Sequence, residues 1–163
     1  MKIYKKILIF LSIIFLTSCT YKKTEYPVFR YDNETVAMLS AIAHANDIGG
    51  MVSQVLPTGS MRPAIYDYDY VVISNPLKDL FENIKEGDIV LYRADWAIPM
   101  SPPVLHRAVE KDRYGWIMTG DSDSNAYENK TRLTSANYLG RLVAIYRLET
   151  ATPVAKEVKK SKI

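Results

Sequence analysis

The chain has 163 residues, 48% of them hydrophobic and 24% charged, with a formal net charge of +3. That composition excludes a disordered or collagen-like chain, and the length allows one domain with a real core. The charge sits at the ends: residues 1–18 carry three Lys and no acid, residues 154–163 are net +3, and the body between them, 19–153, is net −3. A nucleic-acid partner would need a basic patch on the folded body, and the charge distribution argues against one.

The N-terminus reads as an address. Lys2, Lys5 and Lys6 precede an apolar run from Ile7 to Leu16 that only Ser12 interrupts. Such a run is too short to span a bilayer, which takes ~20 residues, and suits the core of a secretory signal. Leu16-Thr17-Ser18-Cys19 follows, and Cys19 is the only cysteine of the chain. No disulfide within the chain can therefore form. The segment resembles the bacterial lipobox, which implies cleavage before Cys19 and lipidation of its thiol. The expected product is held by a lipid in the bacterial cell envelope, on the extracytoplasmic side of a membrane. Anchoring by lipid is physically distinct from spanning.

Residues 19–33 are polar with scattered aromatics and contain Pro27; they read as a tether. Asn33 can cap a helix, with Glu34 in its first turn. The apolar positions Val36, Leu39 and Ala43, flanked by Met38, Ile42 and Ala45, fit a period of 3.6, and Gly49-Gly50 ends the pattern. The expected helix is 34–50, with His44 near its end as a surface residue. Beyond Gly50 the texture becomes β. Strands are expected at Met51–Leu56, Tyr70–Ser74, Ile89–Ala94, Val104–Lys111, Trp116–Thr119 and Leu142–Leu148, separated by Gly, Pro, Asp and Asn. The fold class expected for 51–149 is mainly β, preceded by one helix. Residues 150–163 read as a solvated basic tail, with anionic lipid headgroups as an alternative contact.

Four fragments carry chemistry. They are Pro57-Thr58-Gly59-Ser60-Met61-Arg62-Pro63, Lys85-Glu86-Gly87-Asp88-Ile89-Val90, Val104-Leu105-His106-Arg107-Ala108-Val109, and Thr119-Gly120-Asp121 followed by Gly140-Arg141-Leu142-Val143. Each is weak alone. In this order they resemble the signal peptidase I family, within the larger serine-peptidase group that includes LexA-like self-cleaving repressors. The resemblance spans roughly 52–146 and implies a LexA/signal-peptidase-like β fold. It implies Ser60 as nucleophile. The usual bacterial Lys-Arg pair reads His106-Arg107 here, as in the archaeal and endoplasmic-reticulum branch, which implies His106 as general base. The family also implies the Ser60 N–H and the Thr58 hydroxyl as oxyanion donors.

The chemistry is consistent with those residue types. A serine hydroxyl needs a base to become a nucleophile, and histidine titrates close to neutral. Lys111 is a poorer candidate: five positions after His106 on one strand, it should face the other way. The third member of a triad stays open. Asp121 aligns best, and could instead bind loop backbone; Asp123 and Glu128 are alternatives, as is a Ser60–His106 dyad. The alternation Asp121-Ser-Asp123-Ser-Asn125 fails as a calcium loop, because Ala126 and Arg132 stand where Gly and Glu are required. No metal and no cofactor is expected.

The expected activity is that of a membrane-associated serine endopeptidase, cleaving extracytoplasmic precursor or signal-peptide-like polypeptides after small residues. Two other readings remain. One is a catalytically silent, lipid-anchored β-domain that binds without cutting. The other is a LexA-like self-cleaving protein, for which Ala43-His44-Ala45 offers a small-x-small site of self-trimming after Ala45.

Overall fold

The computed structural model describes residues 23–94, 102–122 and 131–149. The elements in chain order are strand β1 (Val28–Tyr31), helix α1 (Glu34–Ile48), β2 (Met51–Gln54), β3 (Tyr70–Ile73), a 3-10 turn (Phe81–Asn83), β4 (Ile89–Tyr92), β5 (Val104–Asp112), β6 (Gly115–Thr119), β7 (Thr131–Leu133) and β8 (Tyr138–Leu148). The fold is mainly β with one helix. A single curled sheet runs β2-β3-β8-β4-β5-β6-β7, all neighbours antiparallel, and β1 joins it parallel to β8.

β8 joins the two halves of the sheet. Its later residues pair with β3, from Leu142↔Ile73 to Tyr146↔Tyr70, and its first residues pair with β4, from Tyr138↔Tyr92 to Arg141↔Val90. A register shift interrupts each ladder, between Val72 and Ile73 and between Leu91 and Tyr92. Bulges of this kind bend a strand and raise its twist. Gly140 sits at the crossover with φ 138°, and a Cβ there would lie 2.3 Å from the Ser74 carbonyl oxygen.

Three apolar clusters fill the structure. Val90, Tyr92, Ala108, Trp116, Met118 and Leu133 form one; Met61, Ile65, Val71, Ile73, Ile89 and Leu91 contribute to a second. β3 and β4 are buried on both faces, which explains their unbroken YVVI and IVLY runs. The third cluster packs α1 on the sheet through Ala37, Ala41 and Ala45, against Tyr70, Val72, Ala144 and Tyr146.

The helix starts and stops as its sequence suggests. Asn33 Oδ1 accepts the Val36 N–H at 3.1 Å, and Gly49, at φ 67°, closes the last turn. Its buried face differs from expectation. The large apolar residues Val36 (47% exposed), Leu39 (55%) and Ile42 (39%) point outward, and the alanine stripe points in. Small side chains at i, i+4 and i+8 let the helix approach the sheet closely, and the rings of Tyr70 and Tyr146 fill the space. His44 is half-buried rather than a surface residue, its Nδ1 2.8 Å from the Tyr146 hydroxyl.

Part of the expected tether, 19–33, is instead built into the sheet. Residues 28–31 are a strand of the sheet, in register with Ile145 to Leu148 of β8. Tyr26, just before it, accepts the Ile89 N–H on its hydroxyl at 2.7 Å. No helix among the described residues is long and apolar enough to cross a membrane.

Candidate functional site

Ser60 lies in the loop between β2 and β3. The base of that loop is closed by Val55, whose N–H donates to the Asp69 carbonyl and whose own carbonyl accepts from Tyr68. Gly59, at φ 66°, turns the chain immediately before the serine, a conformation that favours glycine. The Gly59 N–H donates to Asp67 Oδ1, and Asp67 is also ion-paired with Arg62. Past Ser60 the chain winds back: the Arg62 N–H reaches the Gly59 carbonyl and the Ile65 N–H reaches the Met61 carbonyl. Met61 and Ile65 are buried, which fixes the loop to the second cluster.

Two contacts dock this loop on the end of β6. The Ser122 N–H donates to the Ser60 carbonyl at 3.0 Å. Gly120 lies so close that an added Cβ would stand 2.5 Å from the same carbonyl oxygen. Thr119, the last residue of β6, pairs with Arg107 of β5. The Ser60 loop and the His106-Arg107 pair are thereby brought to the same end of the sheet.

At Ser60 itself, the hydroxyl is 3.2 Å from Thr58 Oγ1, and the Ser60 N–H points at the same Thr58 oxygen at 3.5 Å. Both residues line a cavity of about 300 Å³. Its walls are largely apolar, from Val55 and Leu56 on one side, Pro103, Val104 and Leu105 on the other, and Met61 at the loop.

His106 is buried on β5 and is not among the residues that line that cavity. Its neighbours Val104 and Leu105 line the cavity, and its ring meets Tyr92 of the first cluster. There its Nδ1 is 3.2 Å from the Tyr92 hydroxyl of β4, and that hydroxyl is hydrogen-bonded in turn to Thr131 Oγ1 of β7. Burial pushes the imidazole down to about 4, and the Asp121 charge opposes this only in part. The ring is therefore neutral at pH 7.

Asp121 is held by Arg107. Its two oxygens accept from Arg107 Nε at 2.7 Å and from the terminal guanidinium nitrogen Nη2 at 2.5 Å, with both side chains buried. Arg107 also donates to the Gly87 carbonyl at 2.6 Å, which ties the turn before β4 to β5. The other motif residues knit the same region. Arg141 pairs with Asp79 at 2.6 Å and with Asp88 at 3.0 Å.

The structure thus joins Thr58 with Ser60, and Arg107 with Asp121. No hydrogen bond links Ser60 to His106, or His106 to Asp121, among the described residues. Asp123, Glu128 and Cys19 lie outside those residues. Lys111 is on the same face as His106, contrary to the odd-offset argument, because a bulge between Ala108 and Glu110 reverses the alternation. Its ammonium is nonetheless spent elsewhere, 5.6 Å and 5.8 Å from the ring centres of Trp116 and Phe81. Tyr92, which meets His106, and Thr131, which meets Tyr92, are neighbours the sequence did not suggest. Tyr92 stood in an apolar strand run, and its contact with His106 depends on strand pairing.

The chain matches no family model and no curated protein sequence.

Proposed function

We propose that the chain is a membrane-associated serine endopeptidase of the signal peptidase type, with a LexA-like β fold. It is lipid-anchored through Cys19 in a bacterial envelope and cuts extracytoplasmic precursor peptides after small residues. The observation that carries this reading is the cavity beside Ser60, bordered by two strand segments with unpaired edges. Among the described residues β2 pairs only with β3, and Val104 to His106 of β5 pair only with β4. An extended peptide can add to such an edge through main-chain hydrogen bonds. Alternate side chains of that peptide share one face, so residues −1 and −3 enter the cavity together.

In this mechanism Ser60 Oγ attacks the scissile carbonyl while His106 takes its proton. The Ser60 N–H and the Thr58 hydroxyl receive the developing oxyanion. His106 then returns the proton to the leaving amine, and water releases the acyl group with His106 again as base. Substrate binding has to turn Ser60 Oγ from Thr58 towards His106. Catalytic hydrogen bonds are often absent before substrate is in place.

One observation favours a second reading, that of a silent binding domain. Ser60 Oγ is engaged by Thr58, and no hydrogen bond joins it to His106 among the described residues. Self-trimming after Ala45 fares worse than either, because Ala45 is a buried residue of α1 and a peptidase takes an extended segment. One experiment separates the first two: incubation of the full chain with a peptide library, followed by mass spectrometry of the products. Ser60→Ala should lower cleavage by about 10⁴-fold or more, and His106→Ala comparably. Cleavage that survives Ser60→Ala, or unchanged turnover in His106→Ala, refutes the mechanism; no cleavage by the native chain supports the silent domain.

A further inference from the structure

We infer that Tyr92 and Thr131 are positioning residues: their paired hydroxyls fix the tautomer of His106, with the proton on Nδ1 and the lone pair on Nε2. The inference deepens the peptidase reading and rests on it for its catalytic meaning. A histidine that serves as base needs a partner on its other ring nitrogen to set tautomer and orientation. The carboxylate expected in that role, Asp121, is occupied on both oxygens by Arg107. What faces Nδ1 instead is the phenol of Tyr92, at 3.2 Å, with Thr131 Oγ1 bonded to the same phenol oxygen.

The three groups come from β4, β5 and β7, within a run of four neighbouring strands, and all are buried: Tyr92 is 0% exposed, Thr131 3% and His106 6%. A buried hydrogen bond has one direction at a time. With Nδ1–H donating to Tyr92 Oη, the phenol proton goes on to Thr131 Oγ1. Nε2, which takes no partner among the described residues, then keeps its lone pair for a proton from Ser60. The opposite direction, Thr131 to Tyr92 to Nδ1, would protonate Nε2 and leave no base. Hydroxyls here do the orienting work of a carboxylate without adding a buried charge, whose desolvation would be costly.

Nitrogen-15 NMR of the imidazole rings reads this directly. The full chain, labelled at histidine and kept in detergent, contains two histidines, and His44→Gln assigns the other. At neutral pH, His106 should show a protonated Nδ1 and an unprotonated Nε2. Thr131→Val keeps the shape but removes the acceptor, so Tyr92 should turn its proton to Nδ1 and the tautomer should invert. Thr131→Ser should restore the native pattern. Tyr92→Phe should shift the ring towards the Nε2–H form and, with the fold intact by its amide spectrum, slow peptide cleavage roughly tenfold or more. A native His106 protonated on Nε2, or a tautomer unchanged in both Thr131→Val and Tyr92→Phe, overturns the inference. The Nδ1–H tautomer in a chain that shows no Ser60-dependent cleavage upholds the hydroxyl pair and refutes the peptidase reading.

Discussion

Protonating His106 should weaken the fold, and the structure gives the size of the effect. An imidazole in water takes up a proton near pH 6.5; in the folded chain burial pushes that point down to about 4. Between the two values the unfolded chain binds a proton that the folded chain refuses. Stability therefore rises with pH across this window, and is lost as pH falls from about 6.5 to about 4. At about 1.4 kcal/mol for each tenfold in proton affinity, the loss is roughly 3 kcal/mol. That is a large share of the ~5–15 kcal/mol that holds a typical domain. The assay is urea unfolding of the native chain and of His106→Gln at pH 7.5 and pH 4. Carboxylates titrate in both proteins, so the difference between the two profiles isolates the imidazole. The native chain should lose about 3 kcal/mol more than the variant. Parallel profiles would refute the claim that burial keeps His106 neutral. The same property should carry into kinetics: kcat/KM should not fall at pH 6, where an ordinary histidine base with a pKa near 6.5 would be about three-quarters protonated.

Asp121→Asn should cost about 3–5 kcal/mol in urea unfolding, because it removes the negative charge paired with a buried guanidinium; a loss under about 1 kcal/mol would show that Arg107 does not depend on that charge. Gly120→Ala puts a Cβ against the Ser60 carbonyl, so the Ser60 loop must shift. Overpacking of this kind costs about 1–3 kcal/mol, and peptide cleavage should fall more steeply than stability does. Unchanged kcat with an unchanged melting temperature would mean that the loop is not docked on β6 as described.

Local signals were legible where the physics is local. Asn33 caps α1 because its side chain reaches an amide three residues on. Gly49 and Gly59 mark left-handed turns that other residues adopt at a cost. Most strands fell where Val, Ile and Tyr cluster between turn residues. The misses share a cause. Val28–Tyr31 is a strand only because β8, more than a hundred residues later, offers it an edge. Thr131–Leu133 is three residues long and is defined by pairing with β6. The helix face was misjudged because hydropathy favours large side chains, while close packing on the sheet selected alanine.

The sequence by itself determined that a serine stands in a constrained turn, that a histidine stands in a strand, and that the domain between the two basic ends is mainly β. Which groups meet was decided by tertiary structure. A single bulge between Ala108 and Glu110 turned Lys111 to the His106 face, and antiparallel pairing brought Tyr92 to the imidazole, Thr131 to Tyr92 and Asp121 to Arg107. Side-chain direction in a sheet depends on register with strands distant in sequence, and one inserted residue reverses it. Composition and spacing carry no record of that register, so the partners of His106 became visible only when the strands were paired.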